Sequence, residues 1–122
     1  MNLKPKTNTS FGKSVEFLRD GKNVEYTVGN PTLDGSTFTE ATEVPIGTAI
    51  FRNEDTGLFE LVTGSTPASM KGAVLTANDV TVEPNENEIV SAVRKASVIE
   101  ARCKGVTDNF KQATQGRLVF DI

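Results

Sequence analysis

The residues that could do chemistry in this chain are carboxylates, lysines, one tyrosine and one cysteine, because its 122 residues include no histidine. Without histidine, most metal sites and the Ser/His and Cys/His catalytic arrangements are excluded. Cys103 is the one cysteine and cannot form an intrachain disulfide, so we interpret it as a small core or strand residue. A reducing cytoplasm is therefore the expected compartment of folding.

Two short patterns suggest ligand binding, and both are weak. Gly12-Lys13-Ser14 resembles the end of a phosphate-binding P-loop, but Thr7 stands where that motif needs its first glycine. Glu83, Glu86 and Glu88 lie close together, yet they lack the alternating ligands and central glycine of a calcium-binding loop. We therefore expect a solvated turn at these acids, with no metal and no cofactor.

The charge is distributed unevenly along the chain. Thirteen Lys and Arg against sixteen Asp and Glu give a net charge of −3. Residues 1–14 carry three lysines and no acid, whereas residues 15–66 carry nine acids and three bases. Residues 67–122 are balanced, with seven of each sign. An acidic chain is a poor ligand for duplex phosphates, so the basic segment 1–14 is the part expected to seek an acidic or backbone-rich partner.

The elements that would position such residues are short and mostly extended. Alternating apolar residues on both sides of Asp20-Gly21 predict a hairpin over residues 14–28. A Thr-rich stretch over 37–42 suggests a short strand, and a second hairpin is predicted over 44–62. Thr66-Pro67 suggests a single helical turn through Met70 that ends at Gly72.

The second half of the chain continues this pattern. Short strands are predicted over 73–75 and 80–82. The β-branched content of 89–103 favours a strand broken near Lys95, with a helix over 89–101 as the alternative. Thr107 or Asp108 is expected to cap a short helix through Thr114, which Gly116 terminates. An alternating strand over 117–122 ends the chain.

These elements predict a mostly β fold, namely a small single-domain β-barrel or β-sandwich with one or two short helices. The domain would span 15–122 and follow a flexible N-terminal arm, residues 1–14, which has too few apolar side chains to form a core. No apolar run approaches the roughly 20 residues of a membrane span. The N-terminus is basic, but no hydrophobic stretch follows it, so we do not expect a signal peptide. We therefore expect no membrane partner.

The order of features resembles the head decoration proteins of lambda-type tailed bacteriophages, which cement the capsid. The resemblance covers residues 40–122. It rests on Val44-Pro45-Ile46-Gly47-Thr48 before a hairpin, on Gly72-Ala73-Val74-Leu75 with Asp79-Val80, and on the capped helix and terminal strand that follow. The hairpin predicted over 14–28 is an addition to the family pattern.

The resemblance implies a homotrimer on the outer surface of the expanded capsid, made in the host cytoplasm and carried in the virion. It also implies that an N-terminal arm binds the major capsid protein. Residues 1–14 match that arm by position and character, so the expected capsid-binding residues are Leu3, Lys4, Pro5, Lys6, Phe11 and Lys13. A decoration protein of this kind is not an enzyme and contacts no nucleic acid directly.

Other functions remain open at this stage. The chain could be a tail or head-completion protein of the same phages, or a small barrel that binds nucleic acid. Nucleic-acid binding would need aromatic residues interleaved with basic ones, whereas Phe51, Phe59, Phe110 and Phe120 lie in apolar runs typical of a core. A small enzyme would have to use carboxylates, lysine, Tyr26 or Cys103.

Overall fold

The described part of the chain contains ten β-strands and one α-helix. We describe residues 17–121 of this computed structural model, and for residues 19–23 the backbone alone. The strands are β1 Leu18–Tyr26, β2 Thr32–Leu33, β3 Thr42–Val44, β4 Ala49–Arg52, β5 Phe59–Leu61, β6 Lys71–Thr76, β7 Val80–Val82, β8 Glu88–Ile89, β9 Ala92–Ile99 and β10 Leu118–Asp121. The helix α1 spans Asp108–Ala113, and short 3-10 turns span Gly35–Thr37 and Glu100–Arg102. The predicted mostly β fold is confirmed.

Eight strands form one sheet, in the order β1-β9-β6-β4-β5-β2-β8, with β10 added beside β9. β3 and β7 form a separate antiparallel pair. The two ends of the large sheet are connected, because Thr27 N–H donates to Ala92 C=O at 3.0 Å and Val90 N–H donates to Pro31 C=O at 2.9 Å. The sheet therefore curls into a partial barrel.

The central strands are buried on both faces, which explains their uninterrupted apolar sequences. In β6, Leu75 belongs to one hydrophobic cluster and its neighbour Val74 to a second one. In β4, Ala49 belongs to the first cluster and Ile50 to the second. Because successive side chains of a strand point to opposite faces, each cluster covers one face of the sheet. The fully buried Phe110 of α1 belongs to the first cluster.

The hairpin predicted at Asp20-Gly21 is wrong. Residues 18–26 form one strand that pairs with β9, from Leu18 opposite Val98 to Tyr26 opposite Val93. Between Asp20 and Glu25, β1 advances five residues while its partner β9 moves only from Ser97 to Lys95. The turn-forming residues therefore sit in a bulged stretch of the strand. Pairing with a distant strand overrides the local preference for a turn.

The hairpin predicted over 44–62 is confirmed for β4 and β5, which pair from Ile50 opposite Leu61 to Arg52 opposite Phe59. The turn between them is closed by Asn53. Its N–H donates to Leu58 C=O, and its own C=O accepts from the N–H of Gly57, both at 2.8 Å. The turn residues and the alternating apolar residues on both sides of them predict the same hairpin, so the sequence was sufficient to locate it.

Two smaller predictions before β6 need correction. The Thr-rich stretch 37–42 is not a strand, because it runs from the end of a 3-10 turn at Thr37 to the first residue of β3 at Thr42. The helical turn at Thr66-Pro67 is one hydrogen-bonded turn, from Met70 N–H to Pro67 C=O, and it forms no helix. The Thr66 hydroxyl accepts from Thr63 N–H behind it and so does not cap this turn. Gly72 lies inside β6 and therefore does not terminate the predicted helical turn.

The strand prediction for 89–103 is confirmed only for β9, residues 92–99, and its helical alternative is wrong. Residues 90–91 separate β9 from β8, and the predicted strand ends early, because residues 100–102 form a 3-10 turn. β9 runs unbroken through Lys95, which corrects the break predicted there. β9 pairs with β1, β6 and β10, so its backbone hydrogen bonds are taken up by neighbouring strands. Val93 and Val98 are buried against the core, and such β-branched residues favour this extended setting.

The helix predicted after residue 106 is confirmed, and its cap is Thr107. The Thr107 hydroxyl accepts from Phe110 N–H at 3.0 Å, which satisfies one of the free amides of the first turn. The chain then enters β10, whose Leu118 is buried while Val119 is exposed. This alternation confirms the predicted terminal strand.

Candidate interaction surface

Three exposed apolar side chains lie on two neighbouring segments at one rim of the curled sheet. Tyr26 ends β1, Val28 follows it, and Ile89 ends β8. The exposed fractions are 51% for Tyr26, 102% for Val28 and 61% for Ile89. We call these three residues the rim patch. Exposed apolar side chains on neighbouring segments mark contact surfaces more often than isolated exposed residues do.

The backbone holds the two segments of the rim patch together. Segment 26–33 runs antiparallel to segment 88–93, with Tyr26 opposite Val93 and Thr32 opposite Ile89. Val28 lies in the connection between these pairs. The Thr27 hydroxyl donates to Gly29 C=O at 2.9 Å, and Gly29 has a φ of 77°, so the chain turns sharply at this point. Backbone pairing and this hydrogen bond therefore fix the two segments that carry the rim patch.

Charges of both signs flank the rim patch. Glu25 contacts Arg94 through a hydrogen-bonded ion pair, and Lys95 Nζ lies 3.8 Å from the same carboxylate. On the other side, the exposed Glu86 and Glu88 precede Ile89. Surface ion pairs contribute about 0–1 kcal/mol each to stability, so we expect these charges to orient a partner more than to hold the fold.

Sequence reasoning missed the rim patch because it assigned Val24, Tyr26 and Val28 to the apolar face of a hairpin. Only Val24 packs against the core. The usable signal was the Gly29-Asn30-Pro31 sequence directly after Val28. Such a turn prevents Val28 from continuing a buried strand face.

The acidic turn at residues 83–88 forms as predicted, and its polar groups are structural. Asn87 Oδ1 accepts from Gly35 N–H at 3.0 Å, and Asn85 N–H donates to Gly35 C=O at 2.8 Å. Asp79 accepts from Ile46 N–H at 2.7 Å. Within residues 17–121, no group of three or more His, Cys, Asp or Glu side chains could hold a metal ion.

Cys103 is half-buried, and its thiol donates to Ile99 C=O at 3.5 Å. Burial, with a smaller contribution from the nearby Glu100 carboxylate, raises the pKa of this thiol from 9.0 to about 11. The reactive form of cysteine is the thiolate, so a raised pKa makes Cys103 a poor nucleophile at neutral pH. Its environment agrees with the interpretation of Cys103 as a structural residue.

Two basic residues of the final third, Lys111 and Arg117, make contacts within the fold. Arg117 donates to Arg94 C=O at 2.6 Å and to Ala73 C=O at 3.0 Å, tying β10 to β9 and β6. Burial, followed by the nearby positive Arg94, lowers the pKa of Arg117. Lys111 lies over the ring of Phe120 at 5.6 Å and pairs with a carboxylate of Glu100.

The aromatic residues predicted to belong to the core pack as expected. Phe110 is fully buried, and Phe51, Phe59 and Phe120 are half-buried against the two clusters. The expected capsid-binding residues all lie outside the described part of the chain, namely Leu3, Lys4, Pro5, Lys6, Phe11 and Lys13. None of the described helices is long and apolar enough to cross a membrane.

No family model matches this sequence, and searches of curated proteins and of solved structures give no significant match.

Proposed function

We propose that this protein is a head decoration protein of a tailed bacteriophage, which acts by binding the capsid and not by catalysis. The observation that carries the proposal is the rim patch, an apolar contact surface on a small, mostly β domain. The resemblance of residues 40–122 to the lambda-type family supports the same function. The partner is the major capsid protein, and the location is the outer surface of the virion.

Binding alone is sufficient for such a function. A protein that binds the assembled capsid better than its dissociated subunits stabilises the assembly by mass action. At a free concentration 100 times the dissociation constant, this linkage is worth about 2.7 kcal/mol per site. The mechanism needs contact surfaces held in place by a stable fold, and the doubly buried sheet supplies that stability.

In this proposal the rim patch forms the contact between copies of a homotrimer. Acidic Glu86 and Glu88 stand on one side of the patch, and on the other side two cations, Arg94 and Lys95, share one carboxylate, that of Glu25. A head-to-tail contact around a three-fold axis brings different surfaces of two copies together, which suits opposite charges on the two flanks. A trimer also presents three N-terminal arms at once, so weak single contacts add up to strong attachment.

Co-sedimentation with expanded capsids of the cognate phage tests the proposal. We expect the full chain to pellet with the capsids and to raise their dissociation temperature. A variant without residues 1–13 should stay folded but bind more weakly, because it lacks the cationic arm. A full chain that stays in the supernatant with intact cognate capsids would rule out the decoration function.

The role of the rim patch is tested by Val28→Ser in analytical ultracentrifugation. Val28 is fully exposed, so the substitution should leave the unfolding midpoint unchanged while it lowers the trimer fraction. Val119→Ser is the matched control, because Val119 is also exposed but lies on β10, away from the patch. Equal trimer fractions for both variants would show that the rim patch does not form the contact between copies.

A further inference from the structure

The edge of β5 that faces away from β4 is paired only at its start. On the β4 side, Val62 N–H donates to Ala49 C=O at 3.1 Å. On the other side, Phe59 C=O accepts from Asp34 N–H at 2.9 Å. Backbone groups of a strand face its two neighbours alternately, so the N–H and C=O of Leu61 point to the same side as those of Phe59. β2 pairs with β5 only at Phe59, and no described residue pairs with Leu61 on this side.

A groove of about 370 Å³ opens beside this edge. It lies between β5 and segment 38–41, which connects the 3-10 turn at Gly35–Thr37 to β3. The volume falls within the range of ligand-binding clefts, about 300–1,000 Å³. The lining residues that decide what the groove can bind are Thr37, Phe38, Glu40, Thr42, Glu60 and Leu61.

The groove offers apolar contacts together with hydrogen-bond acceptors. Phe38 is buried in the second hydrophobic cluster, and Leu61 packs against that cluster. The Thr37 hydroxyl donates to Asp34 C=O at 2.8 Å, and the Thr42 hydroxyl donates to a backbone C=O at 2.9 Å. Since both protons are already donated within the fold, these hydroxyls are left as acceptors. The matching ligand combines an apolar side chain with several hydrogen-bond donors.

The charge of the two walls selects a cationic ligand. Glu40 stands on one wall and Glu60 on the other. Residues 24–51 and 53–70, which include both walls, contain seven acids and no lysine or arginine. A cleft lined by charge of one sign attracts the opposite sign and repels its own. Anionic ligands are therefore disfavoured, and basic side chains are favoured.

We propose that this groove binds a short extended segment of a partner protein, which adds to β5 beside Leu61 and carries basic side chains. An added strand supplies the acceptor and the donor that the N–H and C=O of Leu61 need. Successive side chains of a strand point to opposite faces, so an apolar residue opposite Leu61 packs near Phe38 while basic residues further along meet Glu40 and Glu60. The inference concerns the isolated protein and does not rest on the decoration function.

An NMR titration of the full chain with the blocked pentapeptide Arg-Thr-Val-Thr-Arg tests the proposal. We expect the Leu61 N–H signal to shift and its hydrogen exchange to slow, because the peptide gives this amide an acceptor. N-methylation of the central valine removes the donor to Leu61 C=O and should weaken binding about fivefold. The charge-reversed peptide Glu-Thr-Val-Thr-Glu should not bind.

A matched pair of variants tests the charge selection. Glu40→Gln should weaken binding of the basic peptide about two- to fivefold, whereas Glu54→Gln should not, because Glu54 is exposed in the β4–β5 turn, outside the groove. Both variants should keep the unfolding midpoint of the unchanged protein.

Three results would overturn the proposal. The first is the absence of any Leu61 shift at millimolar peptide. The second is equal affinity for the plain and the N-methylated peptide, which would exclude strand pairing. The third is the same set of shifts with arginine amide alone, since the groove would then bind a cation without an extended segment.

Discussion

Replacing Gly35 by alanine should destabilise this protein strongly, although the change adds only a methyl group. A Cβ atom at Gly35 would lie 2.2 Å from the backbone oxygen of Glu86 and 2.4 Å from its nitrogen. Backbone atoms cannot rotate aside, so the turn at 83–88 must move. The move breaks two bonds to Gly35, one from its N–H to Asn87 Oδ1 and one from Asn85 N–H to its C=O.

The expected loss of unfolding free energy for Gly35→Ala is about 3–5 kcal/mol. The two hydrogen bonds contribute about 1 kcal/mol each, and forcing a methyl group into a packed contact costs about 1–3 kcal/mol more. For a domain of this size, the loss corresponds to a fall in Tm of about 12–20 °C. Urea and thermal unfolding followed by circular dichroism measure both quantities.

Gly64→Ala is the matched control for Gly35→Ala. No atom lies within 4 Å of a Cβ at Gly64, so the same substitution meets open space there. It should leave stability unchanged or raise it by about 0.4–1 kcal/mol, because alanine restricts the unfolded chain. If Gly35→Ala changes stability by less than about 0.5 kcal/mol, the close contact with the turn at 83–88 is not a constraint.

Three further predictions follow from single side chains. Phe110→Ala should cost about 3–5 kcal/mol in urea unfolding, because Phe110 is fully buried, and a loss under about 1 kcal/mol would contradict its place in the core. Thr107→Ala should cost about 1 kcal/mol by the same assay, since it removes the cap of α1; an unchanged midpoint would show that the cap is dispensable. Stability should fall as pH rises from about 9 to about 11, because the unfolded Cys103 thiol ionises before the folded one. Cys103→Ser should remove that part of the decline, and identical pH profiles for the two proteins would refute the assignment.

Elements specified by neighbouring residues could be predicted from the sequence. The β4–β5 hairpin and the cap of α1 depend on contacts within a few positions, such as Asn53 to Leu58 and Thr107 to Phe110. The prediction of a turn at Asp20-Gly21 failed because the competing interaction is the ladder between β1 and β9, whose partners are 67 to 80 positions apart. No local pattern reports the strength of such a distant pairing.

The candidate surface was harder to predict than the fold. Apolar content located Tyr26, Val28 and Ile89, but their alternation with polar residues gave no sign that they face solvent. Exposure depends on which face of a strand the rest of the protein covers, and this follows from the curl of the whole sheet. The expected arm residues, Leu3 to Lys13, stay a prediction of the sequence.

By itself, the sequence determined that histidine chemistry is excluded, that the fold is mostly β, and where α1 and the β4–β5 hairpin lie. These properties depend on composition and on short-range turn and cap chemistry. Only the tertiary structure decided that β1 is one bulged strand, that β10 joins β9 in parallel, and that the rim patch faces solvent. The reason is that each of these depends on hydrogen bonds and burial between segments far apart in the chain.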